Sequence, residues 1–345
     1  MVLPSQSFLL YIWQSMLNLC NVFEQSQMKK YILLFALLTF YSLSAQEAPD
    51  TVSVGAYITS VHNIDFKEKQ YSLNMWLWLK YRKPEFDFAK YLEVPMAKSF
   101  EKSYFTVDTL DDGRIYMIMK LQCLMKDSWK IKNFPFDKQK IRFSVENSQY
   151  DSRSLIFVVD TFGRHYSKWT TSGWNIIPDS FIVSTGIKKY ETAFGDPSFK
   201  KPHSEFSSFK IQIGIERDSW ELFLKLFLGM YLSFLLSLGC FFIHTDHMDS
   251  RFSLSVGSLF AIIGNKYIID SSLPETTSFT LVDALHGLTL FFVFAVVLCS
   301  IYSLKLIKSD KIQKAIRFDG IAACVILVTY ILINVWLIYR ASIGA

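Results

Sequence analysis

The first half of the chain alternates between apolar and polar positions with the two-residue period of β-strands. Apolar residues occupy every second position in segments 52–58 and 73–79. Asp111-Asp112-Gly113 separates two β-prone runs and predicts a hairpin. Further β-prone runs follow at residues 140–145, 154–159, 180–185 and 209–215. Many short strands at this spacing are typical of a β-sandwich, which the sequence predicts for residues 46–217.

The second half of the chain has longer apolar runs, which predict an all-α membrane domain over residues 218–345. Four helices are predicted, at about 221–243, 250–270, 281–304 and 320–340. Each run is close to the ~20 residues that a bilayer-spanning helix needs. The loop predicted between the last two runs carries Lys305, Lys308, Lys311, Lys314 and Arg317. Because basic loops stay in the cytoplasm, four spans place residue 217 outside the membrane.

The leader, residues 1–45, supports the same topology. Residues 28–45 combine a basic start, a short apolar stretch and a small residue at the end, which is typical of a secretory signal peptide. Residues 1–27 precede it as an extension. An uncleaved membrane anchor is the alternative interpretation. In both cases residues 46–217 are expected to be exported.

Composition agrees with a membrane protein and excludes several other classes. Apolar residues make up 51% of the chain and aromatic residues 16%, while the net charge is only +5. The small positive charge lies partly in the predicted basic loop, so it indicates topology rather than nucleic-acid binding. The sequence contains neither a glycine-rich phosphate loop nor a paired-cysteine zinc motif. Cys123 is the one cysteine within residues 46–217, so no disulfide is expected there.

The second apolar run has a face that a lone membrane helix would not need. At helical spacing this face is small and weakly polar, with two bulky apolar residues and an acid near each end. Such a face is expected on a helix that lines a water-filled path. The alternative is a packing seam, because small residues four apart let helices approach closely. The predicted pore-lining residues are Asp249, Ser253, Gly257, Phe260, Gly264, Ile268, Asp270 and Ser271.

Phe134-Pro135-Phe136-Asp137-Lys138-Gln139 lies in the predicted sandwich, about eighty residues before the first membrane helix. This motif resembles the signature loop of the pentameric ligand-gated ion channels, the Cys-loop receptor superfamily. Asp127 and Ile141 occupy the two positions that hold the loop-closing disulfide in animal receptors, which is the prokaryotic pattern. The resemblance extends to Trp76, Gly173-Trp174, Arg217 and the ungapped register from Asp249 to Leu273-Pro274.

The resemblance implies a homopentamer around a central pore in the bacterial inner membrane. A small-molecule agonist or protons would bind the sandwich, and cations would pass through the membrane domain within the lipid. Asp249 and Asp270 would form inner and outer carboxylate rings that attract cations, with Phe260 and Ile268 as apolar constrictions. The chain departs from the family in three places: the first membrane helix lacks a proline, Ser148 replaces an aromatic residue, and Pro95 lacks a neighbouring tryptophan.

Two further groups of residues follow from the resemblance. Four aromatic residues are candidates for a box that binds a cationic amine at the subunit interface, although aromatic residues in a sandwich are more often packing residues. They are Trp76, Tyr150, Tyr190 and Phe199. A second group would couple the sandwich to the pore, or form an ordinary interfacial ion pair. Its candidates are Asp65, Glu68, Phe134, Pro135, Asp137, Arg217 and Pro274.

Two alternatives to a conducting channel stay open. One is a membrane-anchored periplasmic sensor of the same fold, in which five Phe260 rings seal the axis. The other is a membrane metalloenzyme that binds a metal through His244, Asp246 and His247. A channel makes and breaks no bonds, so the main hypothesis involves neither catalysis nor a cofactor.

Overall fold

The computed structural model describes residues 14–15, 48–162, 173–195, 197, 203–244 and 247–344. The predicted signal peptide, 28–45, lies outside the described residues, as do Phe199 and Asp246. The part from Pro49 to Ala345 forms one compact unit. It contains every element described below.

Ten strands occur in the described residues, arranged in two sheets. The first sheet has the order β4-β5-β2-β1-β7, and the second has the order β3-β6-β10-β8, with β9 paired to β10. The strands are β1 (Asp50–Asp65), β2 (Gln70–Tyr81), β3 (Leu92–Glu93), β4 (Ala97–Thr109), β5 (Ile115–Lys126), β6 (Lys138–Asn147), β7 (Leu155–Val159), β8 (Trp174–Ile176), β9 (Ile182–Tyr190) and β10 (Ser204–Arg217).

Both sheets contribute to one hydrophobic core. The alternation in β2 buries Leu73 and Met75 completely, and β6 and β10 contribute Phe143 and Phe209. The predicted hairpin joins β4 and β5, which pair antiparallel from Thr109 and Ile115 outward. The sandwich predicted from the period-two pattern is therefore confirmed, because strands such as β2 alternate between buried and accessible positions and both sheets share one core.

Four long helices follow the sandwich, and each is long and apolar enough to cross a membrane. They are α1 (Ser219–Leu238, continued by a 3-10 turn at Gly239–Phe242), α2 (Met248–Asp270), α3 (Leu281–Lys308) and α4 (Ile312–Ile343). Thr280 and Asp283 cap the start of α3 reciprocally through side chain and backbone. The predicted fold class, a β-sandwich followed by four membrane-competent helices, is thus confirmed.

The last two helices are longer than the apolar pattern predicts. Lys305 and Lys308 lie in the last turns of α3, while Lys314 and Arg317 lie in the first turns of α4. The predicted basic loop is therefore a three-residue connection, 309–311. Lysines at a helix C-terminus complement the helix dipole, and their long side chains reach water without leaving the helix. Hydrophobicity alone consequently underestimates the helix lengths.

Candidate functional site

All the predicted pore-lining residues lie on the exposed face of α2. Phe260 and Ile268 are 71% and 67% exposed, and the small residues of the stripe are exposed as well. The opposite face of α2 packs against the other helices. Its buried residues are Arg251, Ser255, Ser258, Ile262 and Ile269. A single subunit therefore leaves this stripe uncovered, and the assignment to a pore stays a prediction.

The exposed face is wider than the predicted stripe. Val256, Ile263 and Tyr267 are also exposed, with Tyr267 at 76%. Together with Phe260 they follow positions i, i+4, i+7 and i+11, which lie along one helical row. That spacing is visible in the sequence and would have identified these flanking residues.

The inner end of α2 is anchored by a buried ion pair that the sequence analysis did not identify. Arg251 Nη1 lies 2.7 Å from Asp319 Oδ2 of α4, and the two side chains are 2% and 5% exposed. The Arg251 Nε also donates to the Ile243 carbonyl at 3.1 Å, and Ser303 of α3 donates to the same Asp319 oxygen. Asp249 is exposed and has no ion-pair partner within the described part of the chain.

The outer end of α2 has a different arrangement. Lys266 Nζ lies 2.6 Å from Asp270 Oδ2 and 2.8 Å from Asp283 Oδ1 of α3. The neighbouring Asn265 donates to the Leu226 carbonyl of α1 at 3.1 Å, and its Oδ1 lies 3.0 Å from His286 Nε2 of α3. Asp270, predicted as an outer carboxylate, is thus part of a charge cluster that links α2 to α3, while Asn265 contacts α1 and α3.

The predicted coupling residues Asp137 and Arg217 meet between the sandwich and the helices. Arg217 Nε donates to Asp137 Oδ1 at 3.2 Å. The guanidinium also lies 4.0 Å from the Trp174 ring centre, 4.2 Å from that of Phe66 and 5.1 Å from that of Phe134. Burial raises the pKa of Asp137 above its usual value, and the adjacent Arg217 offsets part of that rise.

The signature loop contacts three of the four helices. Phe136 packs against Trp220 and Phe223 of α1, with ring centres 5.1 and 5.6 Å apart. The Leu281 amide at the start of α3 donates to the Lys132 carbonyl at 2.8 Å. The side-chain amide of Asn133 donates to the Gly344 carbonyl, just after α4, at 2.9 Å. The Phe134-Pro135 peptide bond within the loop is cis.

A glutamine closes the base of the same loop, and the sequence analysis did not assign it this role. The Gln139 side chain accepts from the Lys130 amide at 3.1 Å and donates to the Lys130 carbonyl at 2.8 Å. It also lies 2.6 Å from Asp137 Oδ2. Asp127 forms an ion pair with Arg142 at 3.6 Å. Polar contacts therefore link the two sides of the loop.

The loop between β1 and β2 supplies an aromatic ring to Arg217 rather than a carboxylate. Asp65 Oδ1 accepts from the Glu68 amide at 2.8 Å, and Phe66 stacks on the guanidinium. Asp65, Phe66 and Arg217 nevertheless line one cleft with Leu273. Pro274, the other predicted coupling residue in this region, follows Leu273 and is buried. The loop before α3 thus lies against the predicted coupling residues.

The structure brings Tyr150 and Tyr190 together in a cleft of about 650 Å³ at the edge of the second sheet. The Tyr190 hydroxyl donates to Glu146 Oε2 at 2.7 Å. Phe194 and Phe206, which the sequence analysis did not identify, pack on Tyr190 with ring centres 5.5 and 5.9 Å away. Phe206 comes from β10, which pairs with β9 beside Tyr190. Hairpin pairing is the signal that predicts this contact.

Two opposed carboxylates line the cleft, together with the basic residues Lys188 and Arg153. Glu93 of β3 and Glu146 of β6 are directly opposite in antiparallel pairing, which is unfavourable for like charges. The Glu146 side chain is 2% exposed, and its Oε1 has no hydrogen-bond partner in the described region, with Lys188 Nζ 3.5 Å away. Partial burial, and then the Glu146 charge, raise the pKa of Glu93 above its usual value.

Trp76 lies elsewhere on the subunit. It is on β2 of the first sheet, where it lines a shallow groove with Tyr57 and Trp78. The Tyr104 ring centre lies 5.8 Å from that of Trp76. Within one subunit Trp76 therefore does not share the cleft of Tyr150 and Tyr190, and the predicted aromatic box would need a second copy of the chain.

The alternative metal site has no support in the described residues, among which no group of three or more His, Cys, Asp or Glu side chains is placed to hold a metal ion. His244 and His247 are exposed in the connection between α1 and α2. Asp246 lies outside the described residues, so this group of three is not described in full.

Comparison with known proteins agrees with this architecture. No protein-family model matches the chain. A proton-gated ion channel of Gloeobacter violaceus is 19% identical over 271 residues, which cover 73% of this chain and 72% of that protein. The predicted resemblance to the bacterial pentameric ligand-gated channels is thereby confirmed, and the chain is a multi-pass membrane protein whose β-sandwich lies outside the membrane.

Proposed function

We propose that this protein is a homopentameric ligand-gated ion channel that passes cations. The main support is the exposed stripe of α2, which begins and ends near an acid and is not covered by any of the residues that the structure describes. Similarity to a proton-gated channel over most of the chain supports the same function. Five copies of α2 around an axis would enclose a path in which carboxylates attract cations and repel anions.

The cleft of Tyr150 and Tyr190 is the proposed agonist site. Its aromatic rings and its opposed carboxylates, Glu93 and Glu146, favour a positively charged occupant. An organic ammonium group or a proton would relieve the repulsion between the two acids. Trp76 of the adjacent subunit would complete the site. Phe199, which lies outside the described residues, stays a candidate.

Arg217 is proposed to transmit agonist binding to the pore. Its guanidinium joins β10, the signature loop and the β1–β2 loop, and α1 begins two residues later. A shift of the sandwich sheets would move Phe66 and Asp137 relative to Arg217, and through them Leu273 before α3. Such a cluster can hold two discrete arrangements, as gating requires.

Current recording on the full chain reconstituted in planar bilayers tests the proposal. Steps from neutral to acidic pH, and primary and quaternary amines at neutral pH, test the two kinds of agonist. If an amine is the agonist, Glu146→Gln should raise its half-activating concentration about tenfold or more, because a charge-assisted hydrogen bond contributes about 1.5–3 kcal/mol. If protons are the agonist, activation should instead begin at higher pH and depend less steeply on pH, because the neutral amide relieves the repulsion from Glu93 without a proton.

Glu101→Gln is the matched control, since Glu101 is an exposed acid on β4 of the same sandwich. It should leave activation unchanged. Equal responses of the two variants would contradict the assignment of the cleft.

A non-conducting sensor is the second candidate, favoured by the large exposed ring of Phe260. Five such rings would narrow the axis at one level. Assembled pentamers that bind an amine at the cleft, yet carry no current at any pH or amine concentration, would establish this second function and exclude the channel.

A further inference from the structure

Lys266 occupies a position on α2 that the proposed pore lining does not explain. It lies one helical turn before Asp270, and its ammonium contacts two carboxylates, Asp270 Oδ2 at 2.6 Å and Asp283 Oδ1 at 2.8 Å. A lysine four residues before an aspartate on the same helix face is well placed for such a pair. The second carboxylate comes from α3 and ties the lysine to a neighbouring helix.

Asp283 is a rigid partner, because its other oxygen caps α3. Its Oδ2 accepts from the Thr280 amide at 3.0 Å and from the Thr280 hydroxyl at 2.8 Å. The Asp283 amide in turn donates to the Thr280 hydroxyl at 3.2 Å. The capping interaction leaves Oδ1 directed at Lys266. The lysine head is thus held in place rather than moving freely in water.

Asn265 fixes the rotation of α2 at the same level. Its amide nitrogen donates to the Leu226 carbonyl of α1, and its amide oxygen lies 3.0 Å from the buried His286 of α3. These two contacts hold α2 against α1 and α3. Lys266 faces α3, and its ammonium approaches Asp270 from the side away from the exposed stripe. Asp270 itself is 48% exposed.

The charges at this level of α2 therefore cancel in part: the +1 of Lys266 against the −2 of Asp270 and Asp283 leaves −1 per subunit. One ammonium lies within 3 Å of both carboxylates, so each subunit presents to the axis a paired aspartate, with the second acid behind it on α3. An ion pair attracts a passing cation far less than an isolated carboxylate does, because the two fields oppose each other.

We propose that Lys266 is a specificity-determining residue that halves the charge of the outer carboxylate ring, so that the inner Asp249 ring contributes most to cation selectivity. This inference rests on the proposed channel function. It assigns different roles to two acids that are equivalent in the sequence pattern. Lys266 would reduce the local concentration of cations at the outer mouth and so limit inward conductance.

Single-channel recording of Lys266→Gln tests this role. The variant changes the charge of the outer group from −1 to −2 per subunit, and we expect inward unitary conductance to rise about two- to threefold at low ionic strength. The rise should disappear near 1 M salt, where the Debye length falls to about 3 Å. Lys266→Arg keeps the charge and should conduct like the wild type at every salt concentration.

The outcomes separate this inference from the proposed function. A wild-type pentamer without current contradicts the channel, and with it the role of Lys266. A conducting wild type whose conductance is unchanged by Lys266→Gln contradicts the role of Lys266 alone. A conductance rise that persists undiminished in 1 M salt would also overturn it, because a structural change in the pore would then be the cause. A salt-sensitive rise restricted to the uncharged variant supports the inference.

Discussion

Each end of α2 carries an aspartate and is anchored by a basic residue. The two ends differ in whether that basic residue forms an ion pair with the aspartate. At the inner end Arg251 binds Asp319 of α4, and Asp249 stays exposed. At the outer end Lys266 binds Asp270 as well as a carboxylate of α3. One proposed ring therefore keeps its charge, and the other is partly compensated.

Sequence spacing explains the difference. Arg251 follows Asp249 by two residues, and positions two apart lie on different sides of a helix. Lys266 precedes Asp270 by four residues, and positions four apart lie on the same side. A cation that anchors the helix from behind therefore cannot pair with Asp249, but it reaches Asp270 easily. The position of the anchoring cation decides which aspartate remains free to act on ions.

The inner anchor should give the largest effect on stability. Asp319→Asn leaves Arg251 buried without its carboxylate, and removal of one partner from a buried ion pair costs about 3–5 kcal/mol. The free energy of unfolding of the detergent-solubilised protein, from denaturant titration, measures this loss. Loss of the proposed pentamer in size-exclusion chromatography is expected at moderate denaturant.

Two controls distinguish the effect of leaving a buried charge unpaired from the effect of breaking an ion pair. Arg251→Met combined with Asp319→Leu should recover most of the stability, because apolar replacement of a buried pair is often close to neutral. Glu221→Gln breaks an exposed pair with Lys225 on α1 and should leave stability unchanged. If Asp319→Asn lowered the free energy of unfolding no more than Glu221→Gln does, the inner anchor would not contribute to stability.

The inner aspartate should give the largest effect on ion selectivity. Asp249→Asn removes five uncompensated carboxylates, and we expect the cation-to-anion permeability ratio to fall by about tenfold at low salt. Asp249→Lys should reverse the preference, while Asp249→Glu should preserve it. Reversal potentials in a salt gradient measure these ratios. Unchanged selectivity in a conducting Asp249→Lys variant would remove Asp249 from the selectivity ring.

The fold was largely predictable because burial imposes a period on the sequence. Leu73 and Met75 alternate with polar neighbours because one face of β2 meets the core, and the long apolar runs reflect the lipid environment. The ends of α3 and α4 were less predictable. The last turns of α3 and the first turns of α4 are basic and extend beyond the apolar runs, so hydrophobicity gives no signal for them.

The candidate sites were predictable only where the sequence pattern is local or the family motif is present. The exposed stripe follows from helical spacing, and the Asp137–Arg217 pair follows from the resemblance. Asp319 was missed because its partner lies 68 residues earlier in the chain, and no local pattern connects the two. Glu146 was missed for a similar reason, since its carboxylate meets Tyr190 only after β6 and β9 have packed beside β10.

The outer aspartate should give the smallest effect. Asp270→Asn in the otherwise wild-type channel changes the charge of the outer group from −1 to 0 per subunit, because Lys266 keeps Asp283 as its partner, and we expect inward conductance to fall by about twofold at low salt. In the Lys266→Gln channel the same substitution changes the charge from −2 to −1 and should return conductance to near the wild-type level. The four channels form a double-mutant cycle in which the two opposite charge changes should offset each other. A double variant that keeps the conductance of Lys266→Gln would mean that Asp270 does not act on ions in the open pore, and the rise in Lys266→Gln would then not come from the charge of the outer ring.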